Sequence, residues 1–478
     1  MFGTGALPGE NHSQTMKTIT RRSFLAASAA AAASPSLAAP SFSGDVDVVI
    51  IGAGAAGIAA ARRIAAAGRR FALIESSNRM GGRCITDTRI FGVPFDFGAH
   101  WIHMPDLNPV AKLGARSGLE IYPAPRGQRV RVGRRNAREG ELEDFLASIV
   151  RSNRAIAEAA RGRTDVNCAQ ALPKDLGDWR PTVEFVLGPY ACAKDLNEIS
   201  AMDYARSAER DFDAYCRQGF GALLAKLGEN LPVQLSNPVT RIQWGSGLEV
   251  ETARGRISAR HVIVTVSTNV LASGAIKFSP DLPRRQLDAL SRLKLGSYDH
   301  VVLELPGNPL GLQRDDFVFE KASGSQTAAL LANVSGTPLA MIEVGGRFGR
   351  ELSAKGEAAM VDFASEWLAN LYGADVKKAV KRTHATRWNE NPWTLGAFSA
   401  ASPGGQGARR IMMEPLRDRI YFAGEAAHET LWGTVGGAWE SGERTAEAVL
   451  RKMGVLKDTP EPKRQQQQQQ PSRRRRSR

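Results

Sequence analysis

The stretch that most constrains the fold is residues 47–83, where an apolar run, a glycine turn, a helix and a second apolar run follow one another. The run Val48 to Ile51 is rich in β-branched residues and predicts a buried parallel strand. Gly52, Gly54 and Gly57 follow it with the spacing G-x-G-x-x-G. The first glycine permits a tight turn, the second lets a pyrophosphate approach the backbone, and the third lets helix and strand pack closely. The spacing therefore predicts a dinucleotide-binding unit.

The residues after this turn complete the unit. A helix from about Ala55 to Ala67 would direct its positive N-terminal end toward the phosphates. A second apolar run, Phe71 to Ile74, predicts a strand that delivers Glu75, whose carboxylate can hold ribose hydroxyls. A glycine motif alone is a weak signal, but strand, helix, second strand and acid at these spacings favour nucleotide binding over an ordinary glycine-rich turn.

A double-glycine segment follows the second strand and narrows the choice of nucleotide. It reads Arg-Met-Gly-Gly-Arg over residues 79–83. Gly81 and Gly82 would bring backbone amides to the pyrophosphate, while Arg79 and Arg83 would supply charge and donors. The segment resembles the double-glycine motif of FAD-dependent amine oxidases.

Two later segments extend this resemblance along the chain. Residues 96–103 read Asp-Phe-Gly-Ala-His-Trp-Ile-His, and residues 421–428 read Tyr-Phe-Ala-Gly-Glu-Ala-Ala-His, followed by Gly-Thr-Val-Gly-Gly-Ala at 433–438. Together the segments resemble the polyamine oxidase branch of the flavin-containing amine oxidases, from about residue 44 to 452. The resemblance implies an α/β protein. It would have a Rossmann-type FAD-binding domain built from discontinuous segments, and an α+β substrate-binding domain with a helical insertion.

The predicted domain boundaries follow from this pattern. Residues 1–43 would be a signal peptide and leader, and residues 456–478 a disordered basic tail. The FAD-binding domain is predicted from residues 44–88, 222–290 and 409–455, where strands alternate with tight turns and a β-meander is expected near 239–266. The substrate-binding domain is predicted from residues 89–221 and 291–408, with a mostly helical stretch from about 136 to 214.

The resemblance implies that FAD is bound noncovalently in an extended form. Ala397 stands where monoamine oxidases have the cysteine that attaches the flavin. Val239 could contact the adenosine half, although an ordinary sheet residue is an equal alternative, and Gly424 and Glu425 would lie near the flavin end. The predicted FAD contacts are Gly52, Gly54, Ala55, Ala56, Gly57, Glu75, Ser76, Arg79, Gly81, Gly82, Arg83, Gly98, Ala99, His100, Trp101, Val239, Gly424, Glu425, Thr434 and Val435.

Four residues are predicted to take part in catalysis. Phe398 would form one aromatic wall of the amine site, and Thr434 occupies the place of the second aromatic wall of monoamine oxidases, as in the polyamine branch. His103 matches a histidine of animal-type polyamine oxidases and could hydrogen-bond a substrate nitrogen. His300 stands where family members usually place a lysine that binds a water near the flavin. For Phe398 and His103, a purely structural role is the alternative.

Composition sets outer limits on function. A chain of 478 residues with 43% hydrophobic content and 47 glycines suits an α/β enzyme of two or three domains. The net charge is +14, and the low-complexity segment from Lys457 onward supplies +6 of it, so no specific nucleic acid is expected as a partner. The four cysteines show no metal-binding spacing, and no metal is predicted.

The N-terminus predicts a targeting segment. Arg21 and Arg22 precede Ser-Phe-Leu and an alanine-rich run without charges, and Ser36-Leu-Ala offers small residues for cleavage. This resembles a twin-arginine signal, which implies the twin-arginine export machinery as a partner and a periplasmic location.

These features predict an exported enzyme that oxidises a small-molecule amine to an imine, which water converts to an aldehyde. O2 would be reduced to H2O2, unless another electron acceptor takes its place. Alternatives are a related flavoprotein dehydrogenase, an L-amino-acid oxidase or desaturase, or a non-catalytic flavin-binding scaffold. Trp101 in place of the carboxylate-binding arginine of L-amino-acid oxidases favours amines over amino acids. The oligomeric state stays open.

Overall fold

A computed structural model describes residues 45–207 and 212–457. The described residues form twenty β-strands, numbered in chain order: β1 (Val46–Ile51), β2 (Phe71–Ile74), β3 (Thr86–Asp87), β4 (Phe95–Asp96), β5 (Ile102–His103), β6 (Ile121–Pro123), β7 (Arg129–Val132), β8 (Arg135–Asn136), β9 (Asp213–Cys216), β10 (Val233–Gln234), β11 (Val239–Gln243), β12 (Glu249–Thr252), β13 (Gly255–Val264), β14 (Lys277–Ser279), β15 (Tyr298–Glu304), β16 (Asp316–Glu320), β17 (Ala329–Ala332), β18 (Leu339–Gly345), β19 (Thr383–Ala385) and β20 (Ile420–Phe422).

The same residues form fourteen α-helices, also numbered in chain order: α1 (Ala55–Ala66), α2 (Pro109–Arg116), α3 (Glu139–Ala159), α4 (Cys168–Ala171), α5 (Arg180–Phe185), α6 (Ala201–Tyr204), α7 (Phe220–Gly228), α8 (Thr268–Ala272), α9 (Arg284–Arg292), α10 (Gly346–Ala354), α11 (Glu357–Tyr372), α12 (Asp375–Ala379), α13 (Ala408–Met413) and α14 (Val435–Lys452).

The first sheet has eight strands, and five of them form a parallel layer in the order β10-β2-β1-β13-β20. Val49 of β1 lies between Ala72 of β2 and Val262 of β13. Both faces of β1 are covered, because Val49 packs into one hydrophobic cluster and Ile50 into another with α1 and α14. This burial explains the uninterrupted apolar run at 48–51.

Antiparallel strands extend the first sheet. The long β13 pairs with β12, and β12 pairs with β11, as the alternating strands and turns predict. The strands of this sheet all come from the three segments predicted for the FAD-binding domain. The parallel layer with helices on its faces, together with a second sheet, confirms the predicted α/β class with a Rossmann-type unit.

The second sheet has seven strands in the order β19-β15-β18-β17-β16-β7-β8. One face packs on α10 and α11 through a cluster that includes Val301 and Trp367. The other face carries Val302 and Met341 toward an aromatic cluster that includes Tyr215. Because side chains alternate across a strand, one face of this sheet is left to build a site.

Helices α3 to α6 confirm the mostly helical stretch predicted from about residue 136 to 214. A π-helical turn, Val186–Tyr190, continues α5. These helices pack around Phe145 and Phe185, against Phe319 of β16. Tyr190 therefore lies beside the second sheet.

Two predicted segments lie largely outside the described residues. Residues 1–43, the predicted signal, and the predicted basic tail from residue 458 lie outside the described residues. Among the helices of the described ranges, none has the length and apolar character needed to cross a lipid bilayer.

Candidate active site

Close backbone packing shapes the glycine turn after β1. Gly52 has φ +100°, a left-handed conformation, and a Cβ there would lie 2.6 Å from Oγ1 of Thr265. A Cβ on Gly57 would lie 1.8 Å from the carbonyl oxygen of Gly52, so no side chain fits there. At Gly54 the nearest neighbour of such a Cβ is the Cα of Gly82, at 3.8 Å. Space for a ligand therefore opens at Gly54.

This space is bounded by a helix start and by the double-glycine loop. Gly54 is the N-cap of α1, no side chain caps the helix there, and the first helical amides belong to Ala55, Ala56 and Gly57. A Cβ on Gly82 would approach the Cα of Gly54 to 3.2 Å, so the two loops touch. Uncapped amides at a positive helix end suit a phosphate group. The residues present therefore fit the pyrophosphate of FAD.

Glu75 lies at the carboxyl end of β2, where the ribose contact is predicted. Its carboxylate accepts the backbone N–H of Ala53 at 2.7 Å and that of Ser77 at 2.8 Å. Each oxygen can accept a further hydrogen bond, so the position is compatible with ribose hydroxyls. Asn237 donates its backbone N–H to the carbonyl of Glu75 at 2.9 Å, which brings Val239 to the same edge of the sheet.

The two arginines of the double-glycine segment bind protein groups in this structure. Arg79 donates to carbonyls of its own loop, including that of Gly82 at 2.8 Å, and burial lowers the pKa of its guanidinium. Arg83 donates to the carbonyl of Ala397 and to Oε1 of Glu425, the latter at 3.0 Å. Both stay predicted contacts of the pyrophosphate, and the bonds that they make with protein groups hold the double-glycine loop in place. Ser76, in the preceding turn, is partly exposed.

Three of the sequence segments meet at this loop. Gly81 donates its N–H to the carbonyl of Ala53 at 2.9 Å, and Ala99 donates to the carbonyl of Arg83 at 3.1 Å. A Cβ on Gly98 would lie 2.0 Å from the same carbonyl, so the 96–103 segment passes directly along the loop. The predicted grouping of these segments around one ligand is thus spatially consistent.

Glu425 is held by a buried network that the sequence did not reveal. Its carboxylate accepts the hydroxyl of Ser399 at 2.7 Å and the backbone N–H of Gly433 at 3.0 Å. Ser399 in turn accepts from Arg409, which forms a buried ion pair with Asp203 at 2.8 Å. Asp203 and Arg409 are 206 residues apart in the chain, so no local pattern marks them. Glu425 therefore binds protein donors as well as lying near the predicted ribityl position.

A small cavity opens where β13 and β20 end. Its lining includes Arg83, Thr265, Ser267, Gly424 and Glu425. Ligands of open α/β sheets bind beyond the carboxyl ends of the strands, which is where this cavity lies. Thr265 was missed as a site residue, although its hydroxyl donates to the carbonyl that ends β1 at 2.8 Å.

Phe398 lies beside the turn that immediately precedes Thr434. A Cβ on Gly433 would lie 3.1 Å from the ring of Phe398. Thr434 is the N-cap of α14, which begins at Val435: its hydroxyl accepts the N–H of Gly437 at 2.9 Å and donates to a carbonyl of the preceding turn at 2.7 Å. The Thr434 hydroxyl therefore caps a helix, a role that the sequence comparison with monoamine oxidases did not indicate.

His300 is buried on β15 and neutral. Burial lowers its pKa to about 4, and its Nδ1–H donates to the carbonyl of Asp96 at 3.0 Å. Because Nδ1 carries the proton, Nε2 is a hydrogen-bond acceptor. A lysine at this place would donate and carry charge, whereas His300 accepts and is uncharged.

The two histidines of the 96–103 segment each bind a carboxylate. His100 is buried, its Nδ1 lies 2.8 Å from the carboxylate of Asp96, and its ring stacks on Tyr215 at 4.8 Å between centroids. His103 is partly exposed, and its Nδ1 lies 2.6 Å from the carboxylate of Asp213. His103, predicted to bind a substrate nitrogen, is thus oriented by Asp213.

Five rings form what we call the aromatic path. Phe398 packs on Tyr298 at 5.8 Å between centroids, Tyr298 on Tyr190 at 6.4 Å, Tyr190 on Phe317 at 5.3 Å, and Phe317 on Trp101 at 5.3 Å. Only Phe398 and Trp101 were singled out from the sequence. The other three were missed because their strands and helices are far apart in the chain.

The outer end of the aromatic path faces a cavity of about 820 Å³. Trp101, Tyr215 and Phe317 contribute to its wall. A volume of this size is typical of sites for small organic ligands. The path therefore joins an outer cavity to the predicted flavin end of the cofactor site. Charged residues on the wall are Asp106, Lys112, Arg126, Asp213 and Asp315.

Comparison with known proteins agrees with this geometry. The family model for flavin containing amine oxidoreductases matches residues 55–450. Human lysine-specific histone demethylase 2 is 27% identical over 448 residues, which cover 84% of this chain and 53% of that protein. Polyamine oxidase 4 of Oryza sativa subsp. japonica is 26% identical over 451 residues, covering 87% of this chain and 90% of that protein. The chain spans about half the length of the demethylases it matches.

Solved structures share the fold. Wild-type putrescine oxidase bound to putrescine superposes with a TM-score of 0.72 at 22% identity, covering 85% of this chain and 99% of that chain. Cyclohexylamine oxidase from Brevibacterium oxydans IH-35A gives a TM-score of 0.73 at 20% identity, covering 86% and 100%. Because the family match covers most of the chain and the described residues fit the dinucleotide, this chain belongs to the flavin-containing amine oxidoreductases, with FAD as its cofactor.

Proposed function

We propose that this flavin amine oxidase converts a small primary or secondary amine, of the polyamine type or similar, to an imine. Water then hydrolyses the imine to an aldehyde and to ammonia (from a primary amine) or a shorter amine (from a secondary amine), and O2 takes up the two electrons and two protons to give H2O2. The observation that carries the proposal is the aromatic path, which runs from the outer cavity to Phe398 beside the Gly433 turn.

Bound FAD supplies an acceptor for a hydride equivalent from the carbon next to the amine nitrogen. The chain's own residues prepare the amine for that transfer. The rings of Phe398 and Tyr298 exclude water, which lowers the pKa of an ammonium group and favours the neutral amine. They also restrict the orientation of the C–H bond. Nε2 of His300 can accept a hydrogen bond from a water or from an N–H of the substrate.

The charge state of His300 bears on the identity of the electron acceptor. O2 gains negative charge as it is reduced, and a nearby positive charge stabilises that change. His300 is neutral at pH 7 because its pKa is lowered to about 4. This observation supports a second candidate function beside the oxidase: a dehydrogenase that passes electrons to another acceptor.

The site disfavours amino acids as substrates. Trp101, which stands where L-amino-acid oxidases have an arginine, donates its Nε1–H to Glu343 at 3.3 Å. A substrate carboxylate would therefore approach another carboxyl group rather than a cation. We propose amines without a carboxylate.

Anaerobic titration tests the reaction. Purified protein with bound FAD is mixed without O2 with a panel of diamines, monoamines and L-amino acids, and bleaching of the flavin absorbance is followed. Bleaching by amines and not by amino acids supports the proposal; bleaching by amino acids alone favours the amino-acid oxidase. Retained FAD that no compound bleaches contradicts the proposal and favours a scaffold.

Admission of O2 after bleaching identifies the acceptor. Rapid return of the flavin absorbance with one H2O2 per flavin supports the oxidase. Slow return, accelerated by an artificial quinone, supports a dehydrogenase.

We propose that FAD is held without a covalent bond, because Ala397 offers no thiol beside Arg83. Acid precipitation of the protein should release the yellow cofactor into the supernatant. Flavin that stays in the pellet would contradict noncovalent binding.

We propose export by the twin-arginine machinery to the periplasm, on the basis of Arg21 and Arg22 followed by an uncharged run. Full-length protein should appear in the periplasmic fraction, and replacing both arginines by lysine should retain it in the cytoplasm. Unchanged fractionation of that variant would argue against this route.

A further inference from the structure

His428 ends the 421–428 segment and takes no part in the chemistry proposed above. It opens the Gly433 turn, residues 428–434, which leads from the Glu425 region to α14. Nδ1 of His428 accepts the backbone N–H of Leu431 at 2.9 Å and that of Thr430 at 3.3 Å. Only 12% of the His428 side chain is exposed. The turn is therefore folded around this imidazole.

The two bonds to Nδ1 fix the protonation state of His428. A ring nitrogen that accepts hydrogen bonds carries no proton, so Nε2 bears the hydrogen of a neutral ring. Nε2 donates this hydrogen to Oε2 of Glu440 on α14 at 3.2 Å. A proton on Nδ1 would face two N–H groups, so the charged imidazolium is incompatible with the folded turn.

The Gly433 turn connects two of the predicted FAD contacts. Leu431, whose N–H is bound by His428, accepts the hydroxyl of Thr434 at its carbonyl oxygen, at 2.7 Å. Gly433 donates its N–H to the carboxylate of Glu425 at 3.0 Å. Thr434 and Glu425 thus both depend on the backbone path that His428 holds in place.

The charges around His428 come from two helices and from the turn itself. Burial is the main reason that the pKa of His428 is lowered below the ordinary histidine value of 6.5. Glu440 of α14 opposes this change, whereas Arg444 of α14 and Arg409 of α13 add to it. Glu429 is the next residue of the turn. The neutral ring is therefore the main form of His428 at pH 7.

We propose that His428 is a positioning residue for FAD: the neutral imidazole folds the Gly433 turn at the flavin end of the cofactor site, and its protonation opens the turn and weakens FAD binding. The inference goes beyond the proposed function, because it depends on FAD and not on a particular amine or electron acceptor. The open turn takes up the proton more readily than the folded turn. The folded turn is therefore fully stable above pH 6.5 and loses stability as the pH falls below that value.

Equilibrium dialysis of the FAD-loaded protein tests the proposal without turnover. The Kd for FAD is obtained from free and bound flavin. In wild type it should rise about 10- to 30-fold between about pH 7.5 and pH 5, as expected for one proton taken up below pH 6.5. His428→Asn should keep this rise within about threefold, because its amide oxygen can replace Nδ1 as the acceptor and does not titrate.

Two further substitutions provide controls. His428→Gln extends past the position of Nδ1 and leaves the two N–H groups without an acceptor, so at about pH 7.5 it should bind FAD about tenfold more weakly than His428→Asn. The pKa of His261 on β13 is also lowered by burial, but its Nδ1 bonds to the carbonyl of Asp418 at 3.1 Å, before β20 rather than after it. His261→Asn should keep the pH dependence of wild type.

Hydrogen exchange of the wild type tests the same inference without a substitution. After correction for the intrinsic exchange rate, residues 428–437 should lose protection between about pH 7.5 and pH 5, whereas residues 445–452 of α14 should keep theirs. Unchanged protection of the turn, or an equal loss in both regions, would overturn the proposal.

The dialysis results can overturn the inference independently. A wild-type Kd for FAD that does not change with pH would do so, as would the same rise in His428→Asn or the loss of the rise in His261→Asn. Acid-dependent release of FAD by a protein whose flavin no amine bleaches would leave this inference standing and remove only the proposed amine oxidation.

Discussion

His300 and Glu343 face each other on β15 and β18, and burial shifts their pKa values in opposite directions. The pKa of His300 falls to about 4 and that of Glu343 rises to about 7. In both cases the low-dielectric interior disfavours the charged form. Both side chains are therefore uncharged between about pH 4 and pH 7, and Glu343 becomes an anion as the pH rises through 7.

Glu343 should make the substrate-free protein sensitive to alkaline pH. Its folded pKa of about 7 lies above the ordinary glutamate value of 4.5, so the folded state holds the proton more tightly. The resulting stabilisation is full below pH 4.5 and is lost as the pH rises through 7. This rise in the pKa of Glu343 corresponds to about 3 kcal/mol of folding free energy.

Urea unfolding at several pH values measures this effect. Between pH 5 and pH 9, Glu343→Gln should gain stability relative to wild type by about 3 kcal/mol, because glutamine does not ionise. A difference between the two proteins that does not change with pH would show that Glu343 is not the group responsible.

Replacing His300 tests the electron acceptor. His300→Lys introduces a donor and a positive charge, which should raise the rate of flavin reoxidation by O2 by about tenfold or more. Flavin reduction by amine should change less. Stopped-flow measurement of the two half-reactions separates them, and His300→Gln, which stays neutral, is the control. An equal change in both half-reactions would assign His300 a merely structural role.

At the scale of the elements, local patterns predicted the strands and helices well, since each depends on residues close in the chain. The predicted helix at 55–67 is α1, ending at Ala66, and the strand at 71–74 is β2. The start of α14 was harder to predict, because its first turn is Val-Gly-Gly and lacks helix formers. Thr434 sets that start through its hydroxyl.

The contribution of the Thr434 cap to the folding free energy should therefore be measurable. Thr434→Ala removes the acceptor for the N–H of Gly437 and should cost about 1 kcal/mol of folding free energy. Thr434→Ser keeps the hydroxyl and should retain most of that stability. Thermal unfolding of the FAD-loaded proteins compares them, and equal melting temperatures for Thr434→Ala and wild type would contradict a capping role.

At the scale of the whole molecule, the site is assembled by contacts across the predicted domain segments. Arg83 reaches Glu425, 342 residues later, and Arg409 reaches Asp203. The first ion pair joins the double-glycine loop to the turn after β20, and the second joins α13 to α6. These bonds hold the Glu425 turn in place beside the Gly433 turn.

Breaking the buried pair should destabilise the protein strongly. Arg409→Gln leaves Asp203 buried without its cation, which should cost about 3–5 kcal/mol and weaken FAD retention. Arg410 follows Arg409 on α13 and forms an exposed ion pair with Glu429; Arg410→Gln breaks this pair and should cost less than about 1 kcal/mol. Urea midpoints and flavin release during gel filtration compare the two variants. Similar losses of stability and of flavin in the two variants would contradict a larger contribution from the buried pair.

The dinucleotide-binding motif could be predicted from residues 47–83 because it depends only on residues that are close together in the chain. Glycines at the turn, a helix start and an acid after the second strand act within one βαβ unit, whose spacing is visible in the chain. The surroundings of Glu343 could not be predicted in this way. They depend on the pairing of β15 with β18, which sets the side-chain face, and on the packing of Trp101 and Tyr298 from distant segments. Register and long-range packing arise only in the folded chain, so the cofactor could be predicted from the sequence and the surroundings of Glu343 could not.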